Sequence, residues 1–238
     1  MIYSQSYQPR IDDFDRFGQT SPEAVLHILE DCACRHTAAV DEGVIEKSRH
    51  GLAWILTEWN FRILRRPVSG ESFTVNTWTC GKPPAVTIRR ELEARAADGQ
   101  TLVLAEATLG LLERETGRLA RITQDAFERY APEERTLLPP AAKLRAPQAY
   151  DTEKRVQLRR AELEFNGHLH NTRDLELAAE VLPETLARRA QNFRISYRRA
   201  LGGSGDVTVR LAGGGEQAVV GIYDGQETLC ALVCVSEE

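Results

Sequence analysis

The chain has 238 residues, a net charge of -5, 42% hydrophobic residues and 27% charged residues. These proportions are ordinary for a globular protein and exclude wholesale disorder or a fibrous repeat, and the negative charge argues against general nucleic-acid binding. No stretch reaches the roughly 18 apolar residues that a membrane helix needs, and MIYSQSYQPR lacks the apolar region of a signal peptide. The odd number of cysteines, five, fits free thiols in a reducing compartment. We therefore expect a cytoplasmic protein with no nucleic-acid or membrane partner.

The first half reads as a strand, one main helix and four or so antiparallel strands. After Gly18, the run TSPE (20–23) supplies an N-cap hydroxyl, a first-turn proline and an early carboxylate. Apolar residues then recur with helical spacing, which predicts a helix of about five turns to Asp41 or Gly43. Alternating segments separated by the turns PVSGE, GKPP and ADGQ predict antiparallel strands. These strands are LAWILTEWNFRILRR (52–66), ESFTVNTWTC (71–80), AVTIRRELEARA (85–96) and TLVLAEATLGLLE (101–113).

The second half repeats this plan after a proline-rich stretch. The run TLLPPAAKLRAPQAY (136–150) has almost no periodic pattern and predicts a linker between domains at 1–135 and 151–238. TRDLELAAEVLP predicts a helix that Pro183 ends. Four more strands are predicted from FRISYRRAL (193–201), DVTVRLA (206–212), EQAVVGIYD (216–224) and ETLCALVCV (227–235).

Three landmarks recur in the same order in both halves. DFDRFGQTSP (13–22) aligns without a gap with ELEFNGHLHN (162–171), NFRI occurs at 60–63 and 192–195, and DGQ occurs at 98–100 and 224–226. Collinear order of this kind indicates a duplicated domain. Each half is then an α+β unit in which a curved antiparallel sheet wraps around one main helix.

The stretch ELEFNGHLHN concentrates two histidines, two carboxylates and two asparagines around one glycine. Three interpretations are open from the residues alone. Asn171 and Thr172 are good helix caps, so the stretch can be a polar helix start. Glu164, His168 and His170 are metal-ligand types, although His-x-His alone is a weak zinc pattern. Glu164, Asn166 and His168 can instead supply a base, an amide and an imidazole to a reaction.

With these motifs, nearly the whole chain resembles the acyl-acyl-carrier-protein thioesterases, a family with a tandem (double) hotdog fold. In the first half the resemblance rests on Asp15, Gly18 and the following helix with His36, and on GLAWILTEWNFRILRRPVSGESFTVNTW (51–78). In the second half it rests on ELEFNGHLHN and on Tyr197-Arg198-Arg199.

The resemblance places the catalytic acid on Glu164, the asparagine on Asn166 and the histidine on His168. The family motif reads Asp-x-Asn-x-His-Val-Asn-Asn-x-x-Tyr, so the acid here is one methylene longer and Asp174 replaces the tyrosine. In plant members a glutamate and a cysteine stand where this chain has Ala200 and Leu201.

The resemblance implies hydrolysis of the thioester of fatty acyl-acyl-carrier protein in fatty acid biosynthesis. Glu164 would act as base or nucleophile, shielded by apolar neighbours such as Phe165, and Asn166 would orient water. His168 and the free N–H groups at the start of the next helix would stabilise the oxyanion. We expect no metal and no cofactor. The alternatives are an acyl-CoA thioesterase and a non-catalytic acyl-binding protein with a degenerate site.

The partner implied is an acyl carrier protein that bears acyl-phosphopantetheine, and homodimerisation is left open. A carrier of this kind is acidic, which would suit the basic cluster of Arg188, Arg189, Arg194, Arg198 and Arg199. The resemblance also implies that the N-terminal hotdog, residues 1–135, holds the acyl chain. Candidate pocket walls are Trp54, Leu56, Trp59 and the helix face within 21–41, which fit an ordinary core equally well.

Overall fold

The computed structural model describes residues 1–41, 43–81, 86–203 and 205–237. The chain divides into two compact units, one of Met1–Thr57 with Ile63–Pro140 and one of Glu58–Arg62 with Ala141–Glu238. The division thus falls inside the stretch that the sequence predicts as a linker, and the domain bounds at 135 and 151 stay a prediction. Most of the predicted GKPP turn lies outside the described residues.

The first unit is an antiparallel sheet with one long helix. Its helices are α1 (Pro22–Val40), α2 (Val44–Arg49) and α3 (Gln124–Glu128), and its strands are β1 (Tyr3–Tyr7), β2 (Leu52–Ile63), β3 (Phe73–Cys80), β4 (Thr87–Ala96), β5 (Thr101–Glu113) and β6 (Arg118–Ala120). The hydrogen-bonded order is β1-β3-β4-β5-β2, with β6 on β5. Ser21 caps α1 as predicted, because its hydroxyl accepts the Ala24 N–H at 3.1 Å.

The second unit has the same strand order. It contains β7 (Thr152–Gln157), α4 (Arg173–Ala179), α5 (Glu184–Arg189), β8 (Asn192–Tyr197), β9 (Asp206–Gly213), β10 (Gln217–Tyr223) and β11 (Leu229–Ser236). The order is β7-β9-β10-β11-β8, and residues 58–62 of β2 pair antiparallel with β8. The first unit has the equivalent order, in which β1, β3, β4, β5 and β2 take the places of β7, β9, β10, β11 and β8.

The predicted repeat is confirmed at all three landmarks. The two DGQ runs form the turns β4–β5 and β10–β11, and in each the aspartate accepts the glutamine N–H at 2.9 Å. The two NFRI runs lie in β2 and β8. Within the second unit they pair with each other, so that Phe61 stacks on Phe193 with ring centroids 4.9 Å apart.

The helix prediction in the second half was too long. α4 ends at Ala179, and Pro183 begins the separate helix α5 rather than ending α4. Proline fits that position because the first residues of a helix need no N–H donor. The Asn171 and Thr172 region is nevertheless a helix start, as predicted, with α4 beginning at Arg173. The predicted side-chain cap is wrong, because Thr172 at the N-cap position makes no capping hydrogen bond to the helix.

Candidate active site

ELEFNGHLHN forms a tight loop between a 3-10 turn and α4. The Glu164 N–H donates to the His168 carbonyl at 2.8 Å, and the Gly167 N–H donates to the Glu164 carbonyl at 2.8 Å. Gly167 has a φ of 80°, which an L side chain rarely adopts, so the glycine allows the chain to reverse. Leu163 and Leu169 then pair as an isolated bridge that closes the loop.

The first half contains the same loop 149 residues earlier, the offset between Asp13 and Glu162. There the Asp15 N–H donates to Gln19 at 2.8 Å, the Gly18 N–H donates to Asp15 at 2.9 Å, and Gly18 has a φ of 72°. Phe14 and Thr20 form the matching bridge. The loop geometry is therefore a property of the duplicated fold, and the side chains on it distinguish the two copies.

Glu164, Asn166 and His168 meet on the second loop. One oxygen of Glu164, Oε2, accepts both the Asn166 backbone N–H and its Nδ2–H at 3.0 Å. The other oxygen, Oε1, lies 3.8 Å from Nδ1 of His168. The Glu164 side chain is 18% exposed and that of His168 is 49% exposed. A carboxylate, an amide and an imidazole thus lie together at a point that solvent reaches.

The first loop carries a different set of side chains. Asp15 accepts the N–H groups of Phe17 and Gln19 at 2.9 and 3.0 Å, and Arg66 lies 3.8 Å from its carboxylate. The positions of Asn166 and His168 hold Phe17 and Gln19 in the first loop, so neither an asparagine nor a histidine stands there. Its carboxylate is therefore held by a cation, whereas that of Glu164 faces an amide and an imidazole.

The segment 201–203 supports the second loop from the side. The Leu169 N–H donates to the Leu201 carbonyl at 2.7 Å, and His168 forms a bridge with Gly202. A Cβ added to Gly202 would lie 3.3 Å from Cδ2 of His168, so this glycine leaves room for the imidazole. The sequence shows a glycine-rich turn here, and nothing in it indicates contact with His168.

Two expectations about the surroundings of Glu164 were wrong. Phe165 is 56% exposed, so its ring does not enclose the carboxylate. The first N–H groups of α4 are also engaged, because those of Arg173 and Leu175 donate to the carbonyls of His170 and Thr172 at 2.9 and 3.3 Å. A tight first turn uses these donors internally, so they do not face an oxyanion.

Asp174 is the unusual residue of α4. The residue is 5% exposed, and burial raises the pKa of its carboxyl to about 7. At the same 149-residue offset, the first copy has Val25, which is 3% exposed. The position faces the core in both copies, and a sequence pattern alone does not show that the aspartate is buried.

The metal interpretation receives no geometric support in the loop. Nδ1 of His170 lies 3.0 Å from the hydroxyl of Thr172, in a local hydrogen bond. Across the described ranges, no group of three or more His, Cys, Asp or Glu side chains is placed to hold a metal ion. In the same part of the chain, no helix is long and apolar enough to cross a membrane.

The predicted arginine cluster has mainly internal partners. Arg194 donates to Glu58 at 2.6 Å and to the Ala142 carbonyl at 2.7 Å, and Arg198 donates to the Leu144 carbonyl at 2.7 Å. Arg189 lies 4.0 Å from Glu237. Arg194 and Arg198 thus bind the segment 142–144 within the second unit, which makes them weaker candidates for a docking surface.

Of the proposed pocket walls, Trp59 is 1% exposed, and Trp54 packs on the cluster of Ile88, Ile122 and Phe127. Both indole N–H groups are buried without a hydrogen-bond partner among the described residues. These contacts are those of a hydrophobic core, and an acyl-binding role for the two tryptophans stays a prediction.

The fold is that of solved double-hotdog thioesterases. A 12:0-ACP thioesterase from Umbellularia californica aligns with a TM-score of 0.86 at 18% identity, over 99% of this chain and 96% of that chain. An acyl-ACP thioesterase from Bacteroides thetaiotaomicron aligns with a TM-score of 0.87 at 15% identity, over 99% and 97% of the two chains. The predicted α+β tandem hotdog fold is confirmed.

Sequence comparison assigns the family. The family model described as the acyl-ACP thioesterase N-terminal domain matches residues 1–130, more than half of the 238 residues. An oleoyl-acyl carrier protein thioesterase from Arabidopsis thaliana is 22% identical over 198 residues, which are 74% of this chain and 53% of the relative. This chain belongs to the acyl-ACP thioesterase family. It spans about half the length of the curated relatives that it matches.

Proposed function

We propose that this protein hydrolyses the thioester of fatty acyl-acyl carrier protein and releases free fatty acid for lipid biosynthesis. The observation that carries the proposal is that Glu164, Asn166 and His168 meet on one loop, whereas the matching loop of the first copy has no asparagine or histidine at those positions. Membership of the acyl-ACP thioesterase family supports the same reaction.

The three side chains are suited to attack by water on a thioester. Glu164 accepts a proton from water while the water oxygen forms the new bond to the carbonyl carbon. Asn166, fixed by its hydrogen bond to Glu164, orients the water. His168 donates a hydrogen bond to the developing oxyanion, a contribution of about 2.7 to 4 kcal/mol for a critical donor. The carbon–sulfur bond then breaks, and the thiol leaves with the proton returned from the site.

The acid at position 164 is a glutamate rather than the aspartate of the family motif. Its Oε2 accepts the Asn166 N–H at 3.0 Å, and the Asp15 carboxylate accepts the equivalent kind of bond at 2.9 Å in the first loop. The longer side chain therefore reaches the same backbone contact as an aspartate. This supports catalytic use of Glu164 despite the added methylene.

The carrier and the cellular setting belong to the proposal as well. The proposed partner is an acyl carrier protein with an acyl-phosphopantetheine arm, and the proposed location is the cytoplasm. The acyl chain is assigned to residues 1–135 by family resemblance.

The proposal is tested by incubating the purified protein with acyl-acyl carrier protein and with acyl-CoA of matched chain lengths, and by measuring released thiol. We expect turnover on the carrier-protein substrates, and a lower kcat/KM on the coenzyme A substrates. Faster turnover on acyl-CoA would contradict the assignment of acyl carrier protein as the carrier and would indicate an acyl-CoA thioesterase. Tight binding of acyl groups without thiol release at any chain length would contradict hydrolysis and favour an acyl-binding protein, the function that the changes at Asp174, Ala200 and Leu201 would suit.

A further inference from the structure

The two nitrogens of the His168 ring have different neighbours. Nδ1 lies 3.8 Å from Oε1 of Glu164. The opposite edge of the ring, which contains Cδ2 and Nε2, faces Gly202. A Cβ added to that glycine would lie 3.3 Å from Cδ2 and 4.0 Å from Nε2. The ring therefore lies between the Glu164 carboxylate and a stretch of backbone that carries no side chain.

Backbone hydrogen bonds hold Gly202 beside this ring. Two such bonds, of 2.7 and 3.4 Å, join the segment 201–203 to the segment 167–169 on either side of Gly202. Leu201, the residue before the glycine, is 7% exposed and anchors the segment in the core. A side chain at position 202 would therefore displace the exposed ring of His168 more readily than the paired backbone.

The backbone conformation of Gly202 does not require glycine. Its φ lies outside the positive range that L side chains rarely adopt, whereas the φ of Gly203 is 80°. Among the described residues, an added Cβ at position 202 would meet the His168 ring alone within 4 Å. Gly205, in the same connection between β8 and β9, also has no positive φ, and a Cβ there would meet nothing within 4 Å. Contact with His168 is thus the feature that distinguishes Gly202 from Gly205.

The corresponding connection in the first copy places a different group beside its acid. It joins β2 to β3, and its Arg66 lies 3.8 Å from the Asp15 carboxylate and donates to the Thr20 carbonyl at 3.0 Å. In the second copy the connection instead places Gly202 beside the imidazole that approaches the acid. The connection between these two strands therefore determines what lies next to the acidic loop in each copy.

We propose that Gly202 is a positioning residue for thioester hydrolysis, because the missing side chain leaves the His168 ring its place beside Glu164. Nδ1 lies on the Glu164 side, so Nε2 is the atom that donates to the oxyanion. Gly202 itself touches no reacting atom. A methyl group at position 202 would displace the ring by a few tenths of an ångström and would flank Nε2. This inference rests on the proposed function.

The first test measures kcat and KM for thiol release from acyl-acyl carrier protein, with Gly205→Ala as the matched control for Gly202→Ala. A misplaced oxyanion donor weakens a contact that forms in the transition state. We therefore expect Gly202→Ala to lower kcat about tenfold and to keep KM within about twofold. Gly205→Ala should match the wild type. Equal kcat in the two variants would overturn the proposal.

A double-mutant cycle separates an effect through His168 from a general one. His168→Gln should keep measurable activity, since loss of one oxyanion donor costs about 10²- to 10³-fold in kcat. Adding Gly202→Ala to His168→Gln should lower kcat no further, because the ring that the methyl group displaces is absent. The same loss with and without His168 would show that position 202 acts elsewhere and would overturn the proposal.

A measurement without substrate distinguishes failure of this proposal from failure of the proposed function. In protein with 15N-labelled histidine, the ring resonances of His168 are assigned by their absence from His168→Gln. They should move in Gly202→Ala and stay in place in Gly205→Ala, while those of the exposed His50 stay in place in both. Unchanged His168 resonances in Gly202→Ala would overturn the positioning role even when the wild type is active. Absence of thiol release by the wild type would overturn the proposed function, and this proposal with it, whatever the resonances show.

Discussion

At the scale of residues, Glu164 makes two kinds of contact that comparison with the first copy separates. It accepts the Asn166 N–H, as Asp15 accepts the Phe17 N–H in the other copy, so part of its contribution is to hold the loop. Only Glu164 also contacts a side-chain amide and approaches an imidazole. A loss of activity on substitution of Glu164 therefore needs a loop control before it is attributed to chemistry.

The buried carboxyl of Asp174 predicts a pH-dependent penalty on folding. Its pKa is raised from 3.8 to about 7, so the folded state holds the proton more tightly than the unfolded state. The resulting contribution to the free energy of unfolding is full at low pH and is lost as the pH rises through about 7. Asp174→Asn should therefore raise the free energy of unfolding at pH 8, by up to about 4 kcal/mol, and by much less at pH 4.5. Urea denaturation at the two pH values measures this difference, with the exposed Asp12→Asn as control. An equal effect at both pH values would contradict the assignment.

At the scale of elements, the two loops give a matched test of backbone geometry. Gly167 and Gly18 both have positive φ, and an added Cβ would meet nothing within 4 Å at either position. Alanine should destabilise each loop by about 1 kcal/mol through backbone strain alone. Gly167→Ala should also lower kcat/KM, because Glu164 and Asn166 lie on that loop, whereas Gly18→Ala should not. Denaturant unfolding and thiol release check the two effects. Equal activity loss in both variants would point to general destabilisation.

The sequence predicted most of these elements, and the misses have physical reasons. The strands and the capped helix α1 follow from alternation, helical spacing and turn residues, and the repeat follows from collinear motifs. The sequence predicted free N–H groups at the start of α4. Their internal hydrogen bonds were missed because bonds within a tight turn do not require particular residue types. Burial of Asp174 and the pairing of Arg66 with Asp15 depend on tertiary packing, which one sequence does not reveal.

At the scale of the whole molecule, duplication has produced two sheets of the same topology with different polar content. The first unit buries Arg90 of β4 against His36 of α1, and the second carries Glu164, Asn166 and His168 on an accessible loop. Each copy uses its loop to begin a helix, so a helix start and the proposed catalytic residues can share one segment. The family assignment rests on residues 1–130, whereas the proposed catalytic residues lie in the other half.

The most direct test of the central proposal compares Glu164→Gln with Asp15→Asn in thiol release from acyl-acyl carrier protein. Both substitutions remove a charge and keep an oxygen that can accept the loop N–H. We expect Glu164→Gln to lower kcat/KM by about 10²- to 10⁴-fold, the usual contribution of a general base. Asp15→Asn should stay within about twofold of the wild type. Full activity of Glu164→Gln, or an equal loss in Asp15→Asn, would contradict the assignment of Glu164 as the catalytic acid–base group.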